Sequence, residues 1–288
     1  FALLGIPEDI GPRANGGRGG AHEAWQAFLK KWLNGQDNRF CSGQHVVILG
    51  HVDVEDIMHR AEHADVHTLR EHVSIIDNRV EKILSAVFCA GLIPIVIGGG
   101  HNNALPILRA LAAYKQSQVC VINLDPHLDF RPTLDGRHSG NPFSVAYEEH
   151  ILKRYFVVAP HELYNSETMW SEVASISESV RYATFDSIVR GEILFKDVLK
   201  QAVDFVAAHG PVGLELDLDA IAWIPSSAAT PFGVTGYEAA QYVAYVGKEL
   251  QPAYLHLPEG APLLGYDGMN SVGKMLAYLV QTFIQSRL

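Results

Sequence analysis

The chain predicts an α/β fold built on a largely parallel sheet, and three observations lead there. Eight short apolar, β-branched runs recur along the 288 residues. Helical patterns separate most of them, and strands alternating with helices over a whole chain imply a parallel sheet with helices on both faces. Most runs are apolar nearly throughout rather than alternating, which suits strands covered on both sides.

The runs lie at residues 1–6, 46–50, 94–99, 118–125, 155–160, 180–185, 211–219 and 253–259. The first helix is expected over 20–33, where Ala24, Phe28 and Leu29 keep helical spacing. A second covers 70–90, with Val80, Ile83, Leu84, Val87 and Phe88 on one face. Gly91 and Pro94 then stop it and open the next strand. Residues 103–114, 192–209, 235–250 and 270–286 also read as helices, and Thr235 with Glu238 forms a capping box. No linker, repeat or low-complexity segment interrupts the pattern, so residues 1–288 are expected to form one domain, large for a single unit but suited to an open sheet.

Composition narrows the function classes. With 48% hydrophobic and 19% charged residues the chain has the material for a core, and disorder is not expected. The net charge is −10 with no basic run, which argues against nucleic acid or an anionic membrane as a partner. The three cysteines, Cys41, Cys89 and Cys120, are scattered without a CxxC pair, which points to a reducing cytoplasm. Cys89 and Cys120 sit in apolar patterns and read as small buried residues. No stretch has membrane-span length and no signal peptide is visible; the chain opens directly in a strand, and a few residues are expected before Phe1.

Three strings carry the chemistry: GGGHNNA with His101, NLDPHLDFRP with Asp125, His127 and Asp129, and LELDLDA with Asp217 and Asp219. Each follows an apolar run, and ligands on open α/β sheets bind outside the carboxyl ends of the strands. If the strand runs on, Asp125, His127 and Asp129 point to one side, as do Asp217 and Asp219. Four carboxylates at one sheet edge would carry about −4 charge, which needs neutralising cations. Residues i and i+2 are about 6.6 Å apart along a strand, too wide for one small ion to gather all three compactly. Two ions ~3.5–4 Å apart with bridging carboxylates fit better. The His/Asp set, free of cysteine, favours manganese or a similar ion over structural zinc. The expected cofactor is therefore two Mn²⁺ per chain, and the reaction class is metal-assisted hydrolysis. The glycines Gly98, Gly99 and Gly100 lack the lysine of a phosphate loop and the spacing of a dinucleotide site. They read as a tight turn with close backbone approach.

These strings resemble the signature motifs of the ureohydrolases, the family of arginase, agmatinase and formimidoylglutamase. The resemblance runs from the first strand to about residue 262 and implies an arginase-like three-layer α/β sandwich with a mostly parallel eight-stranded sheet. It maps the family's six metal ligands onto His101, Asp125, His127, Asp129, Asp217 and Asp219, with none missing. It makes Asp129 the group that also accepts the attacking water's proton, and Glu259 of Glu259-Gly-Ala-Pro262 the carboxylate that holds an amidine or guanidinium. Assembly as a trimer or hexamer is a further implication.

Within the family the chain leans towards formimidoylglutamase. The first motif reads GGGH rather than the GGDH usual in arginases, and the opening string from Gly5 to Arg18 looks like that subgroup's. Arg131, after Asp129, resembles its DxR ending and could grip a glutamate-like carboxylate by a bidentate contact. In the string His138-Ser-Gly-Asn141-Pro-Phe, Ser139 takes the place of the arginase proton-shuttle histidine. Ser139, Asn141 and Arg131 are expected at the substrate, and either His138 or His161 as proton relay. Pro126 replaces the usual alanine between the first two ligands, and Ala220-Ile-Ala-Trp223 stands where the family continues with Asp-Pro. Trp223 is close enough in sequence to line the pocket, and for Arg13 and Arg18 structural and functional roles both stay open. The expected reaction is hydrolysis of N-formimino-L-glutamate to glutamate and formamide. The alternatives are a guanidine hydrolase that releases urea and a metal-poor binding homologue.

Two features are set aside. His59, His63 and His67 lie at i, i+4 and i+8 but lack the glutamate of HExxH, and read as a solvated helix face. His138-Ser139 has no GxSxG setting, so a serine nucleophile is not expected.

Overall fold

All eight expected strands form and share one sheet: β1 Ala2–Gly5, β2 Val47–His51, β3 Pro94–Ile97, β4 Val119–Leu124, β5 Leu152–Val158, β6 Val180–Ala183, β7 Val212–Leu216 and β8 Tyr254–Leu257. The computed structural model of the chain describes residues 1–288, apart from the side chain of Asp135. The strand order is β2-β1-β3-β8-β7-β4-β5-β6, and every pair is parallel. The expected sheet was mostly parallel; the observed one is wholly so.

Alternate strand residues feed two cores. Ile95, Ile97, Ile122, Leu124, Leu214, Leu216 and Leu257 pack on one side against helices Ala24–Trp32, Phe195–Val206, Gly236–Leu250 and Gly268–Arg287. Val96, Val119, Val121, Tyr155 and Val157 pack on the other against helices Val66–Cys89, Ala104–Lys115 and Pro142–Glu148. This is the helix–sheet–helix sandwich that continuous apolar strands require.

Local signals account for the helix ends. Helix Val66–Cys89 is capped by Asp65, whose carboxylate accepts the Thr68 N–H at 2.8 Å. Gly91, at φ 72°, ends the segment beyond it. The Thr235–Glu238 capping box forms with both bonds present. Short helices at Ile10–Ala14, Glu55–Arg60, Pro142–Glu148, Glu167–Ser175 and Phe185–Val189 escaped the sequence reading, being too short for clear periodicity. Three carried signals even so: Pro142 opens its helix, and the Ser166 and Thr184 hydroxyls cap theirs. The three spaced histidines are exposed as expected, but on two helices and the turn between them rather than one face. Cys89 is exposed, which corrects its expected burial, because it closes its helix on the solvent side; Cys120 is buried. Among the described residues no helix is long and apolar enough to cross a membrane.

Candidate metal centre

The four strands that carry the expected site residues are neighbours at the middle of the sheet, in the order β3-β8-β7-β4. Their carboxyl ends deliver His101, Glu259, Asp217 with Asp219, and Asp125 with Asp129 to one place.

After β3 the chain turns on Gly98 and Gly99, at φ 81° and 73°. A Cβ on Gly99 would sit 2.4 Å from Asn103 Nδ2, and one on Gly100 2.2 Å from Pro12 Cδ, so the glycines serve close approach. A buried carboxylate missed in the sequence fixes this turn. Glu8 Oε1 accepts Gly100 N–H at 2.8 Å and Asn103 Nδ2 at 2.6 Å, while Oε2 accepts Ile10 and Gly11 N–H at 2.6 and 3.1 Å. Burial pushes the Glu8 carboxyl up, and these donors pull it back. Asp9 accepts Gly20 N–H and His22 Nδ1 at 2.8 and 2.7 Å, closing the loop that carries Asn15 to Gly17. Arg13 serves this loop structurally, donating to the Ala61 carbonyl and pairing with Asp9. Arg18 lies exposed, its Nε 3.5 Å from the Ser227 carbonyl.

The Asp125–Asp129 string does not continue the strand. β4 ends at Leu124, and Asp125 Oδ1 accepts the His127 N–H at 2.7 Å in a tight turn. Asn165 pins that turn by donating to the Pro126 and His161 carbonyls and accepting Leu128 N–H. Asp129 then adopts φ 47°, a left-handed conformation that is costly for a residue with a Cβ. The pleat therefore does not align the three ligands as expected; the turn does. Asp217 and Asp219 are likewise set by a 3₁₀ turn, in which Asp217 Oδ1 accepts Asp219 N–H at 2.7 Å.

His101, Asp125, Asp129 and Asp217 converge, with one ligating atom of each within 4.8 Å of the others. His101 Nδ1 faces Asp125 Oδ2 at 3.1 Å, Asp129 Oδ2 at 3.0 Å and Asp217 Oδ2 at 3.1 Å, yet has no hydrogen-bond partner. His127 Nδ1 lies 3.4 Å from the other oxygen of Asp125. Burial and the charges of Asp219 and Asp125 push the Asp217 carboxyl well up; burial and Asp125 push Asp129 up. An orphaned imidazole nitrogen facing three crowded carboxylates is what a site for cations requires, and the residues fit such a group.

A cavity of about 250 Å³ opens beside these residues. His127, Asp129, Asp217, Asp219, Arg131, Ser139 and Glu259 line it, with Asn15, Tyr164 and Met169 among the walls. Glu259 stands at φ 65°; its Oε1 accepts the His101 N–H at 2.7 Å and its buried Oε2 has no partner. Burial, with the charge of Asp219, pushes its carboxyl up to about 8. The rest of the expected set lies outside the lining. Asn141 is buried in a structural knot, accepting from Arg137 Nη1 at 2.6 Å and His138 N–H at 3.2 Å. His138 is buried too, its Nδ1 accepting Gly140 N–H at 3.1 Å. His161 is stacked between Tyr164 and Phe185, and Trp223 is 79% exposed. Of the missed residues, Glu8, Asp9 and Asn15 lay in the opening string the sequence had singled out, whereas Tyr164, Asn165 and Met169 lay in none.

The arginase family model matches residues 1–284. The chain belongs to the arginase family. Among curated family members it is 27% identical to the formimidoylglutamase of Geobacillus kaustophilus (strain HTA426), over 98% of this chain and 83% of that one. It is 26% identical to the Streptococcus gordonii formimidoylglutamase, over 93% and 75%. Among solved structures, the formiminoglutamase of Trypanosoma cruzi with Mn²⁺ aligns at TM-score 0.78 and 23% identity, covering 98% of this chain and 92% of that one. Proclavaminate amidino hydrolase from Streptomyces clavuligerus aligns at TM-score 0.76 and 21% identity, over 99% and 92%. At these identities the structures establish the arginase-like fold.

Proposed function

We propose that this arginase-family protein is a formimidoylglutamase that hydrolyses N-formimino-L-glutamate to glutamate and formamide with two manganese ions. The observation that carries the reading is one cavity lined by Glu259, Arg131, His127, Asp129, Asp217 and Asp219, two of which also belong to the convergent His/Asp cluster. The curated relatives over nearly the whole chain, named formimidoylglutamases, support it.

His101, Asp125, Asp129 and Asp217 would hold one ion, and His127 and Asp219 the second. Asp125, whose oxygens face His101 and His127 separately, would serve both. Ions so held supply Lewis acidity and lower the pKa of water. Asp129 would take the proton of the attacking water and pass it to the leaving nitrogen. Glu259 would accept the amidinium N–H groups through its unpartnered Oε2, and Arg131 would grip the far carboxylate in a bidentate contact. We further propose a cytoplasmic homo-oligomer, trimer or hexamer, which light scattering would count.

The test is to load the purified protein with manganese, count metal per chain, and follow formamide and urea from a panel of amidines and guanidines. Two ions per chain and formamide from the carboxylate-bearing amidine are expected. Urea from arginine or agmatine as the dominant product would replace the reading with a guanidine hydrolase. Absence of bound metal at saturating manganese would end the enzyme reading.

A further inference from the structure

The string LELDLDA carries a third carboxylate, Glu215, that the proposed chemistry does not use. It is fully buried in β7, paired in register with the fully buried His256 of β8. Parallel neighbours in register point to the same face, so the two side chains meet. His256 Nδ1 lies 2.7 Å from Glu215 Oε2. Tyr254, two residues earlier on that face, donates its hydroxyl to Oε1 at 2.6 Å. Gly213 opposite makes room for that ring, because a Cβ there would lie 2.4 Å from the Tyr254 Cζ. A charged group at the centre of a sheet is costly unless held by donors, and here two neighbouring strands supply them.

The same Oε2 lies 3.5 Å from Nε2 of His101, the ring nitrogen turned away from the three aspartates. His101 is buried, and its Nε2 has no hydrogen-bond partner. A neutral imidazole that offers Nδ1 to a cation carries its proton on Nε2, where a carboxylate favours it. We infer that Glu215, braced by His256 and Tyr254, is a positioning residue that fixes the orientation and Nε2–H tautomer of His101, and so sets how tightly the adjoining ion is held. The inference rests on the proposed role of His101 as a ligand.

Glu215→Gln tests it. A glutamine keeps the shape but removes the negative charge that faces His101 Nε2 at 3.5 Å and offers one acceptor oxygen where the carboxylate offers two. Manganese titration, read by the free-ion electron spin resonance signal, should show one of two sites weakened about 10- to 100-fold and the other unchanged. Tyr254→Phe removes one brace, on the oxygen that does not face His101, and should weaken the same site by less than Glu215→Gln does. Equal affinities in Glu215→Gln and wild type overturn the inference, as does an equal weakening of both sites in both variants, which marks general loosening. Wild-type protein that binds no manganese would instead refute the proposed function. Should Glu215→Gln fail to fold, the tautomer is read in the metal-free wild-type chain by ¹⁵N-histidine spectra recorded above the pH at which the His101 ring gives up its second proton, with His101 assigned by its loss in His101→Asn. An Nε2–H signal supports the inference, and an Nδ1–H signal overturns it.

Discussion

The backbone N–H of His101 donates to Oε1 of Glu259 at 2.7 Å, which ties the imidazole at the centre of the carboxylate cluster to a carboxylate that lines the adjoining cavity. The bond runs between the loops after β3 and β8, adjacent strands in the sheet. It leaves Oε2 of Glu259 free to face a ligand while fixing the side chain.

Glu259→Gln separates the two duties. The amide oxygen can still accept the His101 N–H, so manganese stoichiometry should hold. The carboxylate's charge-assisted contact to the amidinium, worth about 1.5–3 kcal/mol, is lost, so kcat/KM should fall roughly 10- to 150-fold. Steady-state kinetics beside metal analysis reads both. Unchanged kcat/KM would remove Glu259 from the substrate.

Arg131 lines the same cavity as Glu259 and approaches Gly140, where a Cβ would lie 3.1 Å from its Cδ. Arg131→Leu should raise KM for the carboxylate-bearing amidine by roughly 10-fold or more, the loss expected for a charge-assisted contact. A formamidine that lacks the distal carboxylate should be hydrolysed equally by both forms. Equal losses on the two substrates would count against the carboxylate grip.

His138 titrates low, down to about 3, because burial and then the charges of Arg70, Arg131 and Arg137 disfavour the imidazolium. Folded His138 stays neutral while the unfolded chain takes up a proton near pH 6.5. Its stabilising share is therefore complete above about pH 6.5 and is lost as pH falls towards 3, at up to ~1.4 kcal/mol per unit. Urea melts over that range should show a shallower acid decline in His138→Gln than in wild type. Parallel slopes would refute the assignment.

Arg137 pairs with Asp77 at 2.9 Å inside the protein and reaches Asn141 Oδ1 and the Asn102 carbonyl, anchoring the segment that presents Ser139. Asp77→Ala strands a buried guanidinium and should cost about 3–5 kcal/mol in urea unfolding. A loss under 1 kcal/mol, the range of exposed pairs, would contradict this placement.

Legibility followed the physics of each residue. His101, Asp125, His127, Asp129, Asp217 and Asp219 stood out because charge at the end of an apolar run has few structural uses. Glu8, Glu215 and Asn165 did not, because a buried polar residue makes sense only beside its partners, and those lie on other strands and loops. Asn141 and His138 looked functional by position in a motif, whereas Arg137 and Gly140 engage them in holding the loop.

The sequence by itself determined the eight strands, the capping box of helix Gly236–Leu250 and the His and Asp residues that meet at the sheet's carboxyl edge, since periodicity, caps and residue chemistry are local properties. Only the tertiary structure decided that β3, β8, β7 and β4 are neighbours, that tight turns rather than the pleat aim the aspartates, and that Arg131 shares a cavity with Glu259. Strand order and turn geometry depend on contacts between residues far apart in the chain, which no window of sequence contains.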